Sequence, residues 1–484
     1  MPFTPLYIDG QWRPSSTDET FEVRNPQSNK VVGTSASASS QDCKDAVEAA
    51  ARAFTTWEHV GLSQRRDIFI KAADILRDKY RDKVSAAVAD ELAITSWVHI
   101  DLMSSDRNLR FTASSVNELN GEAVPSFLPG AHTFVQKRPH GVIVGIAPWN
   151  VPMTLAIRAI AVPIICGNTV VLKSSEVSPR SQSFVAEIFH EAGLPKGVLN
   201  FISIARENAP ALTAELIAHP CVRKINFAGS DRVGKILAAE AAKYLKPCVF
   251  ELGGKAPAVV LNDADIEEAS KAIIFGAMAN SGQVCMSTER VIVQREASEV
   301  LISTVSALCK SIKAGDPTVD PSAKLTALFS AQSAENVLGL IQDAKDSGAG
   351  VLLGDCKRDG AIIQPHIITG VKPGMKIWDR ETFGPVIVVA VVDTVDQAVE
   401  LANSSDYSLT ASVWTRNVHS AIEVASRIRA SVTNINGQTM HVEPAAPMAG
   451  LGGASGYGCF DIANFTDKRT IIIHPPYQVY PTFG

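Results

Sequence analysis

Two residues in this chain have side chains suited to covalent chemistry on a carbonyl. Glu251 opens the run Glu251-Leu-Gly-Gly-Lys-Ala-Pro257. Cys285, 34 positions on, closes Asn280-Ser-Gly-Gln-Val-Cys285. A thiol is a soft nucleophile, and a carboxylate can take or relay a proton. Together they can attack a carbonyl and hydrolyse the product. Taken alone, Cys285 reads more simply as a small buried hydrophobe, as most free cysteines do.

In these two segments the chain resembles the aldehyde dehydrogenase superfamily. That family's glutamate motif is E-L-G-G-K and its nucleophile motif is G-Q-x-C, in this order and at this spacing. Pro148-Trp149-Asn150 matches the family's P-W-N, and Glu381-Thr-Phe383-Gly384-Pro385 matches E-x-F-G-P. The matches cover nearly the whole chain. The run Cys285-Met-Ser-Thr-Glu-Arg290 resembles most the salicylaldehyde and vanillin dehydrogenase branch. The resemblance implies that Cys285 is the nucleophile, Glu251 the base, and Asn150 an oxyanion donor. An amide suits the last task because it donates without titrating, and losing one such donor costs ~10²–10³ in rate. Without the family, Asn150 is a turn residue after a strand.

The cofactor implied is NAD, although the dinucleotide fingerprint G-x-G-x-x-G is absent. In its place stands Phe227-Ala-Gly229-Ser230-Asp-Arg-Val233-Gly234. Gly229 permits a tight strand-to-helix turn, and Ser230 can cap the helix that follows. A helix N-terminus suits a phosphate, but most such turns are only caps. The chain departs from the family at Ala228 and Asp231, where threonine is common, and Asp231 is unhelpful near a phosphate unless it points away. Lys173-Ser-Ser-Glu176 follows a strand, where open α/β sheets bind ligands. Lys173 can donate to a ribose, and Glu176 can accept from a 2′-OH while repelling a 2′-phosphate. The resemblance adds Ile146, Pro148, Trp149 and Leu252 to the cofactor site. It also assigns Glu381 to the nicotinamide ribose and Phe383 to packing beside it. In Met448-Ala-Gly450…Ser455-Gly456-Tyr-Gly458, after Pro447, the family's lysine and arginine are replaced by Gly453 and Cys459. No catalytic role is read there.

The elements that must position these residues are legible as a pattern. Gly141-Val-Ile-Val-Gly-Ile-Ala147 is a continuous apolar run and reads as a buried strand. A helix from Pro152 to Cys166 follows, then a strand at 168–173, a helix at 179–192, and strands at 197–202, 225–227 and 248–251. Residues 41–57 and 63–82 have helical periodicity. Strands alternating with long helices imply an α/β fold with a doubly wound parallel sheet. The expected division is an NAD-binding domain over 1–118 and 141–252 and a second α/β catalytic domain over 253–450. The family resemblance adds small oligomerisation strands over 119–140 and 465–484. The prolines at 131–139 and 470–480 suggest edge strands.

The chain has 484 residues, 46% hydrophobic and 20% charged, enough for more than one packed unit. A net charge of −5 argues against a general polyanion surface, hence no nucleic acid partner. Eight scattered cysteines form no CxxC pair, which argues against a metal site or a disulfide framework and fits a reducing compartment. With no signal-like N-terminus and no apolar run of ~18 residues, a soluble cytoplasmic protein is expected, with no membrane partner.

The reading is an NAD-dependent aldehyde dehydrogenase that makes a carboxylic acid through a cysteine thiohemiacetal and thioester, as a homodimer or homotetramer. Its rivals are a CoA-acylating relative, an esterase using the same thiol, and a non-catalytic structural member. The expected substrate is an aromatic aldehyde, with an aliphatic aldehyde or semialdehyde as the alternative. Arg158, eight residues after Asn150, is expected on roughly the same helical face, where many aliphatic-aldehyde members carry an aromatic side chain. Arg158 and Trp97 are expected to line the substrate pocket with Val284 and Met286, unless Arg158 is in a salt bridge elsewhere and Trp97 lies in the core.

Overall fold

The computed structural model describes residues 1–95, 97–444, 446, 448–477 and 480. Two large sheets organise it. The first has eight strands in the order Gly456–Tyr457, Cys248–Glu251, Val222–Ala228, Val142–Ile146, Thr169–Lys173, Leu199–Ile202, Leu6–Ile8 and Gln11–Arg13. The five strands from Cys248–Glu251 to Leu199–Ile202 are parallel, and the outer ones are antiparallel. Val142–Ile146 is fully buried, as its unbroken apolar run requires. Ile143 joins the core on one face, while Val142 and Val144 join the core on the other. The chain winds outward from Val142–Ile146 to Leu199–Ile202, then returns to the other side at Val222–Ala228. This reversal is a topological switch point, where such sheets open a crevice at their carboxyl ends.

The second sheet has seven strands, ordered Gly350–Leu353, His366–Thr369, Val386–Val392, Thr288–Gln294, Ala256–Val260, Thr410–Trp414 and Val432–Ile435. All are parallel except the first. Apolar clusters cover both of its faces. The strand Gly456–Tyr457 closes the edge of the first sheet, although its residues fall in neither expected domain range.

The third sheet corrects one expectation. His132–Pro139 is the central strand of three, paired along its length with Thr466–Ile473 and at one end with Glu122–Pro125. Its proline is the last residue of the strand and so does not interrupt the ladder within it. The second segment is a strand only to Ile473; Pro475 and Pro476 lie beyond it. Residues 478, 479 and 481–484 of the expected 465–484 strand region lie outside the described residues, as does Pro447. The helical stretch 63–82 is three elements: Leu62–Ile75, a π-helical turn Leu76–Tyr80, and the start of Arg81–Leu92.

Candidate active site

The carboxyl ends of the first sheet face the amino ends of the second. Glu251 ends Cys248–Glu251, Gly229 follows Val222–Ala228, Asn150 follows Val142–Ile146, and Lys173 ends Thr169–Lys173. From the other side, Gly254 precedes Ala256–Val260, Cys285 precedes Thr288–Gln294, and Glu381 precedes Val386–Val392.

Cys285 Sγ donates to Glu251 Oε1 at 2.9 Å. The thiol is half-buried and the carboxylate is 3% exposed. Burial, then the adjacent Glu251 charge, holds the thiol well above its ordinary pKa. Burial also raises the Glu251 carboxyl, against the opposing charge of Arg158 and the Cys285 hydrogen bond. Both groups are therefore held toward their protonated forms. The loop before the thiol is tightly wound, with Asn280, Ser281 and Gly282 all at positive φ. A Cβ on Gly282 would lie 2.1 Å from the Gly384 carbonyl oxygen, and one on Gly254 would lie 1.9 Å from that of Cys285. The second glycine of the glutamate motif is therefore what lets the Glu251 and Cys285 segments approach.

Asn150 is buried, and its side-chain amide donates to the Gln283 carbonyl at 3.1 Å. It does not lie on the helix, which begins at Pro152 with Val151 as an ineffective cap. The expected shared face with Arg158 therefore fails as a spacing argument. That helix is capped from outside: the Asp101 carboxylate accepts the amides of Met153 at 3.0 Å and Thr154 at 2.7 Å. The helix Pro179–Ala192, after Glu176, uses the same device. Buried Glu91 accepts the amides of Arg180 and Ser181, both at 2.8 Å. Burial raises the Glu91 carboxyl to about 7. Both caps went unpredicted. The available signal is a helix opening on proline with no capping bond of its own.

A second unpredicted group fixes the loop of Glu381 and Phe383. Buried Glu289 pairs with Lys255 and accepts the amides of Thr382 at 2.8 Å and Phe383 at 3.3 Å. Lys255 also donates to Thr382 Oγ1 at 2.8 Å. Arg290, fully buried, donates to the carbonyls of Lys255, Leu401 and Ala402. Phe383 is at φ 52°, and Trp149 packs edge-on to it with ring centroids 5.9 Å apart. Glu381 accepts the Gly254 amide at 2.9 Å. The Gly-rich C-terminal motif has a structural part here: Ser455 donates to the Gly253 carbonyl at 2.7 Å and accepts the Ser408 amide.

The remaining cofactor candidates suit a dinucleotide. Ser230 Oγ accepts from the Val233 amide at 3.4 Å, at the start of the helix Asp231–Ala242. A Cβ on Gly229 would lie 2.5 Å from the Phe227 ring, and one on Gly234 would lie 2.7 Å from Leu252. Asp231 is drawn to Lys235 at 3.1 Å and Arg380 at 3.8 Å, so its charge is partly offset. Lys173 is buried, and burial lowers its pKa against the charge of Glu176. Its ammonium donates only to the Ser174 carbonyl among the described residues, leaving two hydrogens for a ligand. Ile146 is buried, Glu176 is half-buried, and Pro148 accepts from Gln182 at 2.8 Å. Among the described residues no group of acids, histidines and cysteines could hold a metal ion.

The substrate candidates separate. Arg158 forms no ion pair among the described residues. Its guanidinium meets Met448 Sδ at 3.6 Å and lies over the Phe460 ring at 5.9 Å, while its charge reaches Glu251 and Cys285. Trp97 packs against the core beside the first sheet, with its indole N–H buried and unpartnered. Arg158 lines a cavity of about 550 Å³ that Trp97 does not line. Val284 is buried and Met286 half-buried on either side of Cys285.

Residues 12–471 match the profile of the aldehyde dehydrogenase family. The vanillin dehydrogenase of Pseudomonas fluorescens is 39% identical over 481 residues, 99% of this chain and 99% of that one. The crystal structure of a salicylaldehyde dehydrogenase from Pseudomonas putida G7, complexed with salicylaldehyde, has a TM-score of 0.97 at 38% identity and covers 100% of both chains. The betaine aldehyde dehydrogenase of Staphylococcus aureus, in complex with NAD+, has a TM-score of 0.94 at 27% identity, covering 99% of this chain and 97% of that one.

Proposed function

The chain belongs to the aldehyde dehydrogenase family and oxidises aldehydes to carboxylic acids with NAD, and from that premise we propose that Cys285, Glu251 and Asn150 perform the reaction. The observation that carries this is the 2.9 Å contact between thiol and carboxylate. Cys285 Sγ bonds to the carbonyl carbon as its proton passes to Glu251. The carbonyl oxygen becomes an oxyanion, which accepts from the Asn150 amide and the Cys285 backbone N–H. NAD, when bound, accepts the hydride. Glu251 passes that proton to solvent and then takes one from water as the water attacks the thioester; the C–S bond breaks, Cys285 leaves as the thiolate and takes the proton back from Glu251, and the acid leaves. Lys173 and Glu176 would hold the adenosine ribose, and Gly229, Ser230, Val233 and Gly234 the pyrophosphate. Glu381 and Phe383 would hold the nicotinamide end, and Ile146, Pro148, Trp149 and Leu252 would complete the cofactor site.

With Glu176 facing a 2′-OH, NAD should exceed NADP in kcat/KM by at least about tenfold, because a carboxylate opposite a 2′-phosphate is a like-charge pair. Equal values would show that Glu176 faces elsewhere.

The substrate in this reading is an aromatic aldehyde. Arg158, which forms no ion pair among the described residues, can donate to a ring substituent, and the relatives named for vanillin and salicylaldehyde support the class. Hydroxylated benzaldehydes should exceed acetaldehyde and hexanal in kcat/KM, and Arg158→Ala should narrow the gap. If either aliphatic aldehyde outperforms salicylaldehyde, vanillin and benzaldehyde, only the reaction class survives.

The expected domain ranges assign 119–140 and the region from 465 to oligomerisation. Exposed Ile471, Ile472 and Ile473 on the outer strand of the three-stranded sheet support pairing with a second copy, as a dimer or tetramer. Eight unpaired cysteines support a reducing cytoplasm. No helix among the described residues is long and apolar enough to cross a membrane.

A further inference from the structure

We propose that Arg107 and Arg158 form an anion-selecting approach to Cys285, so that the preferred substrates are aromatic aldehydes with a carboxylate on the ring. This deepens, and rests on, the aromatic reading above. The cavity of about 550 Å³ lies between the helices Val98–Ser114 and Pro152–Ile165 and is closed by Met448 and Phe460. That is more room than an unsubstituted ring fills. Arg107, Asn108 and Phe111 reach it from one helix and Arg158 from the other. Phe111 and Phe460 give it apolar walls, suited to a ring.

The charges on the wall are unevenly committed. Glu443 holds His441 at 2.8 Å. Asp461 accepts the backbone amide of Asn464 at 2.8 Å and its side-chain amide at 3.0 Å. Glu118 is exposed on the wall, and Lys137 donates to its backbone carbonyl. Arg107 and Arg158 alone among the wall's arginines and lysines have neither a carboxylate nor a carbonyl partner among the described residues. Arg158 is half-buried at the inner end, on the helix that begins two residues after Asn150, whose amide bonds to the Gln283 carbonyl beside Cys285, and Arg107 stands exposed on the solvent side. An anionic ring substituent would meet first one guanidinium and then the other, and a guanidinium fork matches a carboxylate. A neutral benzaldehyde uses neither charge.

The test compares kcat/KM for 4-formylbenzoate, benzaldehyde and hexanal at low ionic strength. The wild-type enzyme should prefer 4-formylbenzoate to benzaldehyde by roughly tenfold, and added salt should erode that ratio because Arg107 is exposed. Arg107→Ala should collapse the ratio chiefly through KM, and Arg107→Lys should restore most of it. Benzaldehyde equalling 4-formylbenzoate in the wild-type enzyme, or a ratio that Arg107→Ala and salt both leave unchanged, overturns the proposal. A win for hexanal over benzaldehyde is a separate result and counts against the aromatic reading itself.

Discussion

Cys285→Ala is expected to lower aldehyde oxidation by at least roughly three orders of magnitude while leaving NAD binding intact, since removing a covalent nucleophile eliminates the whole acyl route. The substitution deletes one sulfur atom from a half-buried site and keeps the backbone. The close packing of Gly254 on the Cys285 carbonyl is therefore preserved, as is the loop wound through Asn280, Ser281 and Gly282. The groups assigned to the cofactor stand on other segments: Lys173 on Thr169–Lys173, Ser230 on the helix Asp231–Ala242, and Glu381 on a loop held by Glu289. Calorimetric titration with NAD should give the wild-type affinity within a factor of about three, less than 1 kcal/mol. If the variant keeps a tenth of wild-type turnover, the covalent role of Cys285 is wrong. If turnover and NAD affinity fall together, the loop has moved and the comparison reports folding instead.

The pair at the centre of this site was legible because each residue sits in a motif. Glu251 ends a buried strand, and two glycines after it mark a close approach, which the structure realises against Cys285 and Glu381. The parallel strands were legible for a simple reason too: Val142–Ile146 and Thr169–Lys173 are buried on both faces, so they show unbroken apolar runs. What the sequence hid was long-range. Lys255 and Glu289 are 34 residues apart, and Thr382 is 127 from Lys255, with no periodicity to join them. Asp101 caps a helix that starts 51 residues later, and nothing in its own neighbourhood marks it as a cap. The placement of Asn150 on the helix of Arg158 failed for a local reason: Pro152 starts that helix two residues too late. Trp97, expected as a pocket wall or else in the core, packs against the apolar core beside the first sheet.

Glu251→Gln separates the two protons that Glu251 is positioned to move. Steady-state oxidation should fall by ~10²–10⁴-fold, the range for removing a general base. The amide keeps the size and can still accept from the thiol, so the geometry around Sγ is retained. It cannot take the proton. Hydrolysis of the thioester then lacks its base, and NADH should appear as a burst equal to the number of active sites, followed by a slow phase. The 2.9 Å hydrogen bond adds a condition to that trace. The native thiol is held above its ordinary pKa by burial first and by the Glu251 charge second. Removing the charge lowers the thiol pKa while burial still holds it above the ordinary value, in the alkaline range, and removing the proton acceptor leaves ionisation to solvent. The burst rate in the variant should therefore rise with pH through that region, whereas its amplitude stays fixed and the slow phase stays slow. Stopped-flow NADH absorbance at several pH values reads all three. A full-amplitude, pH-independent burst would mean that Glu251 serves water alone. A burst absent at every pH would mean that acylation itself needs the carboxylate, and the division of labour proposed for Cys285 and Glu251 would fall.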